Sequence, residues 1–121
     1  MGPFRDGWTQ ADAEAIIVRD DPEDVLYVPI VVSLNPPDCA WAQEICIRLS
    51  SHPHEDVRAN AVLGFGHLAR ICGALDEARV RPIIESALND PSPRVRGAAD
   101  NAASDTGMFL DWLFPPREDK F

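Results

Sequence analysis

The segment His52-Pro-His-Glu-Asp-Val-Arg-Ala-Asn-Ala61 returns as Asp90-Pro-Ser-Pro-Arg-Val-Arg-Gly-Ala-Ala99, so Val57 and Arg58 recur as Val95 and Arg96, 38 residues later. Self-similarity at a fixed spacing of this length is the mark of stacked helical hairpins, because each unit covers its apolar face only by packing on the next. The repeat therefore restricts the chain to an all-α stack of antiparallel hairpins. Such a stack offers extended surfaces before it offers a catalytic pocket.

The helices between and around the two copies follow from caps and periodicity. Thr9 caps an Ala-rich run up to about Arg19, with Asp12 in the favourable first turn. Asp21-Pro22-Glu23-Asp24 restarts the chain, and the β-forming run that follows is read as helical from Pro29 onward because Val28–Asn35 echoes Arg81–Asn89. Ala42, Ile45, Cys46 and Leu49 form the stripe of a helix begun by Asp38. A central helix runs from about His54 to Cys72, with Gly73 as its terminator. Its Gly64-Phe65-Gly66 interrupts good helix formers, and each Gly costs about 1 kcal/mol relative to Ala, which close helix approach would offset. The next helix spans 77–89 around Pro82, and another opens at Ser92 or Pro93 with a face of small residues. Gly107 is expected to separate a short aromatic segment, Met108–Phe114. The expectation is six to seven helices in one domain over 1–121: a cap helix (1–21), hairpins (22–105), and an aromatic C-terminal cap and tail (106–121).

With Val-Arg early in the first helix of each unit, residues 38–114 resemble HEAT-like repeats. Asp90-Pro91 followed by Val95-Arg96 is close to that family's Asp, Val, Arg pattern, in which Asp and Arg form ladders between stacked units. The first copy departs from it: His52 stands where the Asp would be, so a ladder through Arg58 needs another acid, such as Asp56 or Asp90. Leu26-Tyr-Val-Pro-Ile, Trp41-Ala-Gln-Glu and the two Val-Arg segments also look like small single-domain bacterial HEAT-like proteins, some of which serve as immunity proteins in toxin systems. That resemblance implies binding, not catalysis, and assigns no individual binding residue.

Charge narrows the partner. Acids outnumber bases 20 to 11, which excludes direct nucleic-acid binding as the main activity, since phosphate recognition depends on clustered Lys and Arg. The excess is one-sided: residues 1–56 carry eleven acids and three bases, and the remainder nine acids and eight bases. A surface of one sign speeds encounter with a cationic protein and loses that advantage in salt. Cys39, Cys46 and Cys72 are odd in number and match no compact paired spacing. With no long apolar stretch, these features point to a cytoplasmic, reducing setting and no membrane association.

The residues assigned to partner binding are Asp20, Asp21, Glu23, Asp24, Trp41, Glu44, Glu55 and Asp56. Arg58, Asn60, His67, Asp90 and Arg96 are assigned to structure: the two arginines bridge hairpins with a fork that Lys cannot supply, and Asn60 and His67 hydrogen-bond neighbouring loops. No nucleophile, phosphate-binding loop or metal-ligand spacing accompanies them, so no enzyme activity, cofactor or metal is expected. A zinc set drawn from Cys39, Cys46, His52, His54 and Cys72 fits no known compact spacing. The sequence thus points to a non-catalytic module whose acidic surface binds a basic protein, most concretely an immunity protein that neutralises a toxin domain such as a nuclease. A HEAT-like adaptor in a larger assembly is the alternative.

Overall fold

Five of the helices begin where a side chain accepts from a free N–H group of the first turn. Thr9 and Asp12 form a reciprocal capping box at the start of α1 (Gln10–Arg19). Asp21 caps α2 (Pro22–Val25), Asp38 caps α4 (Cys39–Leu49) through Trp41 N, and His54 Nδ1 caps α5 (Glu55–Cys72). Ser92 caps α7 (Pro93–Leu110). The helix α6 (Glu77–Ala87) follows Asp76 and carries Pro82 in its interior. The computed structural model describes residues 2–114, which are all-helical and contain no strand.

The segment 22–35 is helical in two pieces, α2 and α3 (Tyr27–Leu34), with Leu26 between them. Pro29 explains the restart. In one continuous helix from Pro22 it would remove a bond to Val25 and crowd that carbonyl, whereas as the third residue of α3 its missing N–H has no intrahelical acceptor to lose.

Packing places α3, α5 and α7 side by side in one layer, with α5 between the other two. The helices α1, α4 and α6 form the opposite side: Glu14 reaches Arg48 and Trp41, and Glu44 reaches Arg79. Val25, Val28, Val32, Ile45, Val57, Phe65, Leu68, Ile84 and Val95 are buried between the layers. The central helix contributes the largest buried share, including Asn60 and both mid-helix glycines.

Those glycines mark the closest approaches. A Cβ on Gly64 would lie 2.6 Å from Cys46 Sγ, and one on Gly66 would lie 2.5 Å from Asp105 Oδ2. Their absent side chains let α5 nest against α4 and α3 on one side and α7 on the other.

Two expectations are corrected. Gly107 does not separate an aromatic segment; α7 runs through it to Leu110 and ends at Asp111 in the left-handed region, φ 60°. Buried Thr106 ties its hydroxyl back to the Ala102 carbonyl at 2.9 Å, which keeps the turn helical there. The cysteines are also not three isolated thiols: Cys39 and Cys72 are bonded, with Cα atoms 6.2 Å apart, and only Cys46 is free and buried. Their 33-residue separation is the distance from the start of one helix to the end of the next, which no short-spacing rule detects. The tail expected at 115–121 lies outside the described residues.

Candidate protein-binding edge

The connections 20–21, 50–54 and 88–92 lie along one edge of the stack, where the two copies of the repeat meet. Arg58 Nη1 donates to the carbonyls of His52 (3.2 Å) and Pro53 (2.9 Å), and Arg96 Nη1 makes the matching bonds to Asp90 (2.8 Å) and Pro91 (3.1 Å). Each arginine thus ties down the turn that precedes its own helix. The other face of the Arg58 fork grips the Asp90 carboxylate, Nε to Oδ2 at 3.1 Å and Nη2 to Oδ1 at 3.0 Å. Those hydrogen bonds, chiefly, hold the Asp90 carboxyl below its ordinary pKa, against a smaller opposing effect of burial. Of the two acids open to Arg58, the structure selects Asp90, and Asp56 pairs instead with Arg94 at 2.7 Å.

A rung with its two sides exchanged precedes this one. His52 Nε2 lies 2.7 Å from Asp20 Oδ1 across 32 residues, the separation that also joins Arg58 to Asp90. His52 occupies the acid's place and Asp20 the base's. Its Nδ1 accepts from His54 N at 3.0 Å, as Asp90 Oδ1 accepts from Ser92 N at 2.9 Å. An imidazole can thus replace a carboxylate in this turn because both offer an acceptor to the residue two positions on. After Arg96 the ladder stops, because no third copy of the turn follows α7 among the described residues.

The eight residues assigned to partner binding divide accordingly. Glu44 is held by Arg79 at 2.5 and 2.8 Å, which lowers its carboxyl pKa. Asp56 is held by Arg94, and Glu55 accepts from Ser92 Oγ at 3.2 Å. Trp41 is half-buried against Trp8 and points its indole N–H at Glu14, 3.3 Å away. Asp20 accepts from His52 Nε2 but remains 60% exposed. Among the described residues, Asp21, Glu23 and Asp24 have no basic partner, and they stand together at the start of α2. Of the eight, Asp21, Glu23 and Asp24 are the residues without a side-chain partner on another element among the described residues. A cleft of about 270 Å³ opens beside the Arg58–Asp90 rung, bordered by Ser50, Ser51, Ser86 and Asp90.

Inside the layer a polar row crosses the helices. Asn60 Nδ2 donates to the Leu26 carbonyl at 2.8 Å, at the junction of α2 and α3. Ser33 Oγ donates to the Ile30 carbonyl at 3.2 Å and lies 3.0 Å from His67 Nδ1, so the ring N–H is left to donate to the hydroxyl oxygen. Burial, aided by Arg70 and opposed by Asp105, lowers the His67 pKa. A fully buried serine whose proton is committed to a carbonyl is not presented to a substrate. The nominal zinc residues are also dispersed: Cys39 is bonded to Cys72, Cys46 is in the core, and His52 and His54 lie on the ladder edge. Among the described residues no three His, Cys, Asp or Glu side chains converge on a metal position.

Many of the partners missed in the sequence share an offset of 32 to 35 residues between neighbouring elements, while Asp56–Arg94 keeps the 38-residue period. The shorter offset joins Glu14 to Arg48, Leu26 to Asn60, Ser33 to His67 and Glu44 to Arg79. This lateral offset differs from the 38-residue sequence period because a side chain reaches the adjacent unit a turn or more out of register. No helix among the described residues is long and apolar enough to cross a membrane. Comparison of the chain with protein-family models, curated proteins and solved structures returned no match.

Proposed function

We propose that this chain is a non-catalytic, HEAT-like binding module whose acidic edge engages a basic protein, most concretely as an immunity protein that neutralises a toxin domain. The observation that carries this reading is the inequality among its acids. Glu44, Asp56 and Asp90 are neutralised within the stack by Arg79, Arg94 and Arg58, while Asp21, Glu23 and Asp24 are exposed or half-exposed and have no base among the described residues. A cluster held on a short capped helix presents negative charge in a fixed arrangement, and this favours fast, salt-sensitive association with a cationic surface. For a nuclease partner, carboxylates so placed would compete with phosphates at the active site. The ladder supports the reading by tying the turns of the edge together with hydrogen bonds, and a surface organised before binding loses less entropy on docking.

The test is binding to the C-terminal domain of the protein encoded immediately upstream, measured at low and high salt. Nanomolar or micromolar affinity that weakens strongly with salt, together with protection of cells expressing that domain, is the expected result. Affinity unchanged by salt would overturn the acidic-edge reading, and recovery of a stable multi-subunit assembly in place of a toxin domain would favour the adaptor.

A further inference from the structure

We propose that Cys39 and Cys72 form a thiol–disulfide exchange site, opened and closed by low-molecular-weight thiols of the glutathione class while the helices stay folded. The inference is independent of the acidic edge, because the bond lies at the opposite end of α4 and α5. These helices are joined by the turn 50–54 at the ladder edge, and the disulfide closes their open mouth, the first residue of α4 to the last of α5.

Three observations make this bond reactive without making it indispensable. First, it is accessible: Cys39 is exposed, Cys72 is half-buried, and both border an open cleft of about 250 Å³ with Ala40, Gln43, Ala74 and Leu75. Second, the mouth has other fastenings. Asp76 N donates to Gln43 Oε1 at 2.8 Å, and Ala42, Ile45, Phe65 and Leu68 are buried along the same two helices. Third, the two sulfurs sit at opposite helix poles. Cys39 is at the N-terminus of α4, where the helix dipole stabilises a thiolate although Asp38 already caps Trp41 N, and Cys72 is at the C-terminus of α5, where the dipole disfavours one.

The polarity fixes the direction of exchange, since the better-stabilised thiolate leaves faster. An attacking thiolate forms a new S–S bond to Cys72 Sγ as the Cys39–Cys72 bond breaks, and its electron pair departs on Cys39 as thiolate. A second thiol then attacks the mixed disulfide, releasing Cys72 as a thiol after proton uptake and leaving the oxidised dimer of the small thiol. Closure by that oxidised dimer is the reverse sequence.

Cys46 supplies an internal control, because burial alone pushes its thiol pKa up to about 12 and removes it from solvent. The full chain is oxidised with glutathione disulfide, treated with reduced glutathione under native conditions and quenched with iodoacetamide at intervals. Its helical circular dichroism is followed in parallel. Peptide mass spectrometry is expected to show early molecules with glutathione on Cys72 and the alkyl group on Cys39, then both cysteines alkylated with helicity retained. Cys46 should react at least about a hundredfold more slowly, through unfolding alone. The Cys39→Ser/Cys72→Ser variant should keep its helicity and take up no glutathione. The proposal is overturned if the pair does not close in glutathione disulfide, if reduction proceeds only as helicity is lost, if all three cysteines react together, or if the early adduct is on Cys39.

Discussion

Arg58 and Arg96 are the same residue in two copies of one motif, yet only the first is a bridge between units. Arg58 spends one nitrogen on the turn before its own helix and the rest of its fork on Asp90, with the two side chains 20% and 15% exposed. Removing it leaves a half-buried carboxylate without its base, so Arg58→Ala should lower unfolding free energy by about 2–3 kcal/mol in urea titrations. Arg58→Lys should recover little of that, for want of a fork. Arg96→Ala forfeits the turn contacts without orphaning an acid of a neighbouring unit and should cost about 1 kcal/mol. Asp90 and His67, both with lowered pKa values, act in different pH windows. Asp90 contributes stability at all pH above the ordinary carboxylate range and loses it only as pH falls through its depressed value. His67 is harder to protonate folded than unfolded, so nothing is lost above the ordinary imidazole value of about 6.5, and stability declines as pH drops below it. The urea midpoint should therefore be lower at pH 5 than at pH 7.5, and His67→Gln should reduce that difference; an unchanged difference would reject this account of the histidine.

At the scale of helices, the caps were legible because capping is a local bargain between one side chain and the free N–H groups beside it. Thr9, Asp21 and Asp38 act within three residues of themselves, and the starts of α1, α2 and α4 follow. The end of α7 was not legible. Gly107 has the composition of a terminator, but Thr106 is buried by the rest of the fold, and burial keeps the helix intact to Leu110. The glycines of α5 show the same division. Their helix-propensity cost could be read from position, but the neighbour that each admits could not. Gly64→Ala would gain about 1 kcal/mol in propensity and would drive a methyl to 2.6 Å from Cys46 Sγ, so a net loss of about 1–2 kcal/mol is expected. Combining it with Cys46→Ala should cost less than the sum of the two single changes, as a double-mutant cycle would show. Gly97, on the exposed face of α7, is the contrast, since a methyl added there would meet nothing within 4 Å. Gly97→Ala should raise the melting temperature, by up to about 1 kcal/mol of stability.

For the molecule as a whole, the ladder decides which charges are available to a partner. Reversal of Asp21, Glu23 and Asp24 to Lys should slow association with a cationic partner severalfold and leave the melting temperature nearly unchanged, since none of them pairs with a base among the described residues. Reversal of Glu44 and Asp56 should lower the melting temperature, because each change sets a lysine against Arg79 or Arg94. Identical effects from the two series, in stopped-flow binding and thermal melts, would reject the division. The sequence by itself determined the all-α class, most helix starts, the period of the repeat and the excess of acid over base, because these depend on near neighbours along the chain or on simple counts. Only the tertiary structure decided that Arg58 takes Asp90, that His52 and Asp20 form the exchanged rung, that Cys39 and Cys72 join, and that Glu44 and Asp56 are neutralised while Asp21, Glu23 and Asp24 have no base among the described residues. Each of these pairs spans roughly thirty to forty residues, and which side chains meet over such a distance depends on helix length and lateral register, quantities fixed only when the layers pack.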